Sequence, residues 1–162
     1  MVSGQLCMEE KIVTLRDKLF QICPRSKYRL IDPHITIVPP FSVDSEGESR
    51  IREIIDSYVE QKLEVVVEGV GVYPSLDNPR VVLLDVTASE TVHQLREELV
   101  SFIAERDIEF RYEPTPFHVT LFKCDNGYTL ADDRKQLLQN RVSSHRDSWS
   151  DMIDTLHLEE VI

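Results

Sequence analysis

The chain is expected to fold as an α+β protein of two α-β lobes, and three observations predict this. An amphipathic helical stripe followed by a β-branched run occurs once in each half, and each of those runs carries the same small polar pattern. The 162 residues also suit one domain over 1–162, long enough to bury an ordinary core.

The elements follow in order. Ile12, Leu15 and Leu19 lie at i, i+3 and i+7, with Val13 and Phe20 widening the stripe, so the spacing predicts a helix over 9–22 that stops before Pro24. The run 35–38, "ITIV", is a buried strand by its β-branched content. Ile51, Ile54, Ile55 and Tyr58 predict a helix over 48–60, and alternation over 63–72 predicts a second strand closed by the turn "YPSLDNP" at 73–79. In the second half, "RVVLLDV" at 80–86 reads as a strand. Val92, Leu95, Leu99 and Ile103 mark a helix face, "FHVTLF" at 117–122 a strand, 129–140 a helix, and 152–161 a half-buried strand.

Composition narrows the function classes. A net charge of −11 repels long polyanions, because nonspecific nucleic-acid affinity comes from Lys and Arg displacing counterions, so duplex DNA is not an expected partner. The charge suits a soluble enzyme with a small, locally basic pocket, or a proteome adapted to high salt. No apolar run reaches the length of a membrane span and no secretory leader is visible, so a cytoplasmic protein with no membrane partner is expected. Cys7, Cys23 and Cys124 form neither an even set nor a C-x-x-C pair, so reduced thiols are expected and no cysteine-rich zinc site.

The two shared patterns are His34-Ile35-Thr36-Ile37 and His118-Val119-Thr120-Leu121, 84 positions apart. Side chains at i and i+2 of a strand share a face, so each histidine lies beside its own threonine while Ile35 or Val119 turns into the core. Two such strands side by side would bring two imidazoles and two hydroxyls into one cleft. Two histidines flanking a phosphodiester can serve as general base and general acid, and hydroxyls can donate to the non-bridging oxygens. The alternative is two unrelated core strands with partly buried histidines. The residues two after His93, His145 and His157 are Leu95, Asp147 and Glu159, which sets the matched pair apart.

"PHITIVPPF" and "FHVTLFK", with the element order over about residues 9 to 161, resemble the two-histidine (2H) phosphoesterase superfamily, which includes the proteins called 2′,5′-RNA ligases or RNA 2′,3′-cyclic phosphodiesterases. The resemblance implies a bilobal fold with two antiparallel sheets around a central cleft and helices on the outer faces. It also implies metal-independent chemistry without a cofactor, catalytic histidines His34 and His118, and phosphate-binding threonines Thr36 and Thr120. By the same resemblance Lys123 stands where many relatives carry a basic residue. Strict alternation puts Lys123 on the face opposite His118 unless the strand bends near Phe122. Phe41 is either a cleft border or a packed aromatic, and Tyr73, Tyr112 and Arg80 are possible base or phosphate contacts.

Two departures from the family pattern stand out. "MVSGQLCM" is short and broken by Ser3-Gly4, which questions one sheet edge. Phe122 replaces a small residue and, on the face of His118, would narrow the cleft.

His93, His145 and His157 have no metal-ligand spacing and are expected on the surface or in turns. Asp132-Asp133 and Glu97-Glu98 are expected on helix surfaces or starts. The loop 141–149 could offer Trp149 to a base, or anchor it in the core. No phosphate-cradling G-x-x-x-x-G-K-[ST] run is present, which excludes that route to an ATP-driven ligase. The expected activity is hydrolysis of a 2′,3′-cyclic phosphate or 2′,5′-phosphodiester at an RNA terminus or on a small cyclic nucleotide, by a monomer, with reverse ligation open. The alternatives are a non-catalytic module that holds an RNA end or nucleotide in the same cleft, and an interaction domain using the acidic surface.

Overall fold

The computed structural model describes residues 1–23, 33–125, 127–144 and 147–159. The element order is β1 (Val2–Leu6), α1 (Glu9–Ile22), β2 (Ile35–Val38), α2 (Ser45–Asp56), β3 (Glu64–Pro74), β4 (Pro79–Ala88), α3 (Glu90–Glu105), β5 (His118–Lys123), α4 (Asp132–Val142) and β6 (Trp149–Leu158). The helices and five of the strands fall where hydrophobic period placed them, with shifts of a few residues at some ends, and β1 is a strand that the sequence left in doubt. Asp44 accepts a hydrogen bond from the Gly47 amide at 2.8 Å, so α2 starts earlier than its apolar stripe suggests. Pro24 and the predicted strand end at 160–161 lie outside the described residues.

The six strands of the described residues join in one antiparallel ring ordered β1-β2-β5-β4-β3-β6, which corrects the expectation of two separate sheets. The connection is β1, which pairs with β2 on one side and β6 on the other. The Ser3-Gly4 pair that made this segment look broken fits it for its place. A Cβ at Gly4 would lie 2.7 Å from Ile153 Cγ2, so glycine permits the close approach of β6. Ser3 is fully buried, and its hydroxyl donates to Glu159 Oε1 at 3.0 Å. A doubtful sheet edge is therefore a central strand.

One continuous core packs Ile12, Leu15 and Leu19 of α1, Ile51 and Ile55 of α2, Leu95 and Leu99 of α3 and Leu138 of α4 against alternate residues of the strands. The strand residues in that core include Ile35, Ile37, Val82, Leu84 and Val119, all with no exposed surface. The helices thus cover one face of the strands. The residues between, such as His34, Thr36, His118 and Thr120, lie on the other face and are half-buried.

Candidate active site

β2 and β5 are antiparallel neighbours, with Ile35 the partner of Val119. One step along an antiparallel ladder in each direction sets His34 opposite Thr120 and Thr36 opposite His118. The two H-x-T motifs therefore interlock head to tail. Continued by one residue each way, this register puts each histidine opposite the other motif's threonine, with the imidazoles on one diagonal and the hydroxyls on the other. Diagonal neighbours in such a ladder have a spacing of about 7–8 Å between residue positions, within reach of long side chains.

The flanking strands extend this row. Ser3 of β1 pairs with Thr36 and, on its other side, with His157 of β6; Asp85 of β4 pairs with His118, and Leu83 with Thr120. Beyond them lie Gly69 and Gly71 of β3. A Cβ on Gly71 would stand 2.9 Å from Leu83 Cδ1 and 3.0 Å from Asp85 Oδ2, so glycine sets the closeness of β3 there. Sequence reasoning missed Asp85 and Ser3, because single residues in a strand acquire a site only through their register. His157 was expected on the surface; it is exposed, but it belongs to this row. His145 lies outside the described residues.

His118 Nδ1 is 2.8 Å from the carbonyl oxygen of Pro116. A carbonyl only accepts, so Nδ1 carries the hydrogen and Nε2 of the neutral ring is the atom left to take a proton.

The register of β5 corrects the expectation for Phe122 and supplies the bend on which the place of Lys123 depended. Val82 pairs with Phe122 and Leu83 with Thr120, which leaves Leu121 as an extra residue, a β-bulge that reverses the alternation. Phe122 consequently enters the core, 2% exposed, and meets Phe20 edge to face at 6.0 Å between ring centroids. It does not narrow the cleft. Lys123 pairs with Val81, which alternates with Leu83 and Asp85, so the bulge returns this lysine to the face of His118. Tyr73, 65% exposed, pairs with Val81 from the other side.

The remaining candidates have other environments. Phe41 packs edge to face on Phe110 at 6.2 Å. Arg80 Nη1 donates to the Asp125 carbonyl at 2.8 Å, and Tyr112 is exposed in the segment before β5. Trp149 is half-buried at the start of β6, donating from Nε1 to Asp151 Oδ2 at 3.2 Å with the Lys11 ammonium 4.5 Å from its ring centroid. Among the described residues no group of three or more His, Cys, Asp or Glu is arranged to hold a metal ion.

Arg96 of α3 is the charged residue most closely tied to both motifs. It donates from Nε to the Ile37 carbonyl at 2.7 Å, from Nη2 to the Thr36 carbonyl at 3.0 Å and from Nη1 to the Thr115 carbonyl at 2.8 Å. Burial pulls its pKa down to about 10, which leaves the guanidinium charged at neutral pH. Sequence reasoning passed over it because helical spacing alone makes it one more solvated arginine.

Ring and register define an α+β protein with an antiparallel barrel-like sheet on which the two motif strands are neighbours. The model of the 2′-5′ RNA ligase superfamily matches residues 8–160, so the chain belongs to that superfamily of 2H phosphoesterases. It is 28% identical over 136 residues to a protein of Geobacillus sp. (strain WCH70) named provisionally as a phosphoesterase, covering 82% of this chain and 72% of the relative. In fold it is similar to the crystal structure of the MHV ns2 PDE domain, with a TM-score of 0.53 and 19% identity over 80% of this chain and 91% of that one. No described helix is long and apolar enough to cross a membrane.

Proposed function

We propose that this protein is a metal-independent phosphoesterase that opens a 2′,3′-cyclic phosphate or cleaves a 2′,5′-phosphodiester at an RNA end or on a small nucleotide. The observation that supports it is the antiparallel pairing of the two motif strands at Ile35–Val119, whose register favours placing both imidazoles and both hydroxyls on one face. One histidine removes a proton from water as its oxygen bonds to phosphorus. The P–O bond to the departing ribose oxygen breaks, and the other histidine supplies that oxygen with a proton, leaving a phosphomonoester and a free hydroxyl. Thr36 and Thr120 donate to the non-bridging oxygens as their charge grows, and Lys123 adds a positive charge on the same face. Ligation is the parallel transfer in which the 5′-hydroxyl of a second chain takes the place of water: one histidine removes its proton as it bonds to the cyclic phosphorus, the P–O bond to the 3′ oxygen breaks, and the other histidine protonates that oxygen, leaving a 2′,5′-diester and a free 3′-hydroxyl.

The test is a screen of 2′,3′-cyclic nucleotides and 2′,5′-linked dinucleotides against wild type, His34→Ala and His118→Ala, with the product 2′ and 3′ phosphates resolved. Turnover by wild type in excess chelator, lost in both variants, is expected. A rate lost to chelator and restored by zinc or manganese would overturn metal independence, and tight binding without turnover in wild type would favour a nucleotide-holding module.

A further inference from the structure

We propose that Arg96 is the positioning residue of this site, clamping the main chains of the two motif strands together so that their side chains meet in reacting register; the inference rests on the assignment of His34 and His118 as the acid–base pair. The ladder between β2 and β5 closes at the single partner pair Ile35–Val119 among the described residues, whereas β4 follows β5 from Asp85–His118 to Val81–Lys123. The two motif strands, whose alignment matters most, are therefore the neighbours least held by their own backbone bonds. The guanidinium supplies what the ladder lacks. Two of its bonds end on β2, at Thr36 and Ile37, and the third ends on Thr115, three residues ahead of His118.

Two of the three bonds lead toward reacting groups, and the third holds the adjoining Ile37 carbonyl. The Thr36 carbonyl belongs to the residue whose hydroxyl faces His118. The Thr115 carbonyl adjoins the Pro116 peptide, whose own carbonyl receives His118 Nδ1–H. The ring of Phe117, between Pro116 and His118 in sequence, lies 3.5 Å from the Arg96 guanidinium carbon, and His93 of α3 meets the same ring at 5.1 Å. A planar fork with five N–H groups can reach three carbonyls while stacking on a ring. A lysine keeps the charge, but its single nitrogen cannot span both strands in this way.

The test compares wild type with Arg96→Lys and Arg96→Ala. For Arg96→Lys that retains its far-UV spectrum, kcat on a 2′,3′-cyclic nucleotide should fall about 10²-fold while KM moves by less than about threefold, because alignment is lost and ground-state binding is not. In the same variant, ¹⁵N spectra should show neutral His118 leaving the pure Nδ1–H tautomer for a mixture. Arg96→Ala should recover activity with added ethylguanidinium and not with ethylammonium. In wild type, the Arg96 Nε–H should be protected from solvent exchange, a readout independent of whether either variant folds. A folded Arg96→Lys with unchanged His118 tautomer and kcat within about twofold of wild type, or a freely exchanging Arg96 Nε–H, would overturn the clamp. Wild type that turns over no cyclic nucleotide or 2′,5′-dinucleotide would instead refute the proposed activity, and the tautomer and exchange measurements would still decide the role of Arg96.

Discussion

The carbonyl oxygen of Pro116 stands 2.8 Å from His118 Nδ1, so a main-chain group two residues upstream determines which edge of this imidazole meets a substrate. No side-chain substitution removes the acceptor, but the histidine itself can be divided. Asparagine places its amide nitrogen near the position of Nδ1 and can keep the Pro116 bond, while glutamine reaches toward Nε2 and loses that bond. Neither transfers a proton at neutral pH.

Both His118→Asn and His118→Gln should therefore lose about 10²–10⁴-fold in kcat/KM, with His118→Asn nearer to wild type in melting temperature. The wild-type profile of kcat/KM against pH should be bell-shaped, one limb for each histidine. Steady-state rates on a cyclic nucleotide across pH check this, and a residual rate in either variant that still shows both limbs would remove His118 from proton transfer.

Thr36 and Thr120 occupy the other diagonal, and valine replaces their hydroxyl with a methyl group of similar size. At half-buried positions, Thr36→Val and Thr120→Val should change stability by less than about 1 kcal/mol and lower kcat by about 10²-fold each, as expected when a donor to transition-state charge is lost. Both limbs of the pH profile should persist, because the proton-transfer groups remain. A variant with unchanged kcat and a raised KM would place the hydroxyl in ground-state binding only.

The fold was legible where hydrophobic period is strong. α1 and β2 came out of the spacing of Ile12, Leu15 and Leu19 and of "ITIV" with their bounds intact, and α3 showed as the buried face Val92, Leu95, Leu99 and Ile103. The site was legible as two motifs whose strands would lie together, because i and i+2 share a face whatever the neighbours do. What the letters could not carry was register. Asp85 beside His118, Ser3 beside Thr36 and the three carbonyls held by Arg96 depend on which strand pairs with which. The single extra residue at Leu121 decided the places of Phe122 and Lys123, and the adjacent apolar pair Leu121-Phe122 does not say in letters which of the two is the extra residue.

That bulge makes opposite predictions for adjacent residues. Phe122 is 2% exposed against Phe20, so Phe122→Ala should cost about 3–5 kcal/mol by the loss of buried ring and the cavity left behind. Lys123 is exposed on the cleft face, so Lys123→Ala should alter stability by less than about 0.5 kcal/mol and raise KM for a phosphate-bearing substrate several-fold, an effect that weakens as salt is added. Urea unfolding midpoints and KM at two ionic strengths separate the two. Strict alternation through residue 123 would leave KM unmoved by Lys123→Ala.

Alkaline stability tests the other side of the core. Tyr58, 8% exposed, has its phenol pushed up to about 12 from 10.0, chiefly by burial and then by its bond to Glu98 Oε2 at 2.9 Å; burial likewise pushes the Cys23 thiol up from 9.0 to about 12. Below pH 9 both groups are protonated whether the chain is folded or not, and neither makes stability depend on pH. Above it the unfolded chain releases the Cys23 proton, and above pH 10 the Tyr58 proton, while the folded chain keeps both until about pH 12. Because the unfolded state binds fewer protons across this window, stability falls as pH rises through it. Urea midpoints should decline from pH 9 to 11.5, and the double variant Tyr58→Phe, Cys23→Ala should decline less steeply than wild type over the same range, though it starts from a lower midpoint at pH 7. Equal slopes in the two proteins would show that neither group stays protonated in the folded chain beyond its ordinary range.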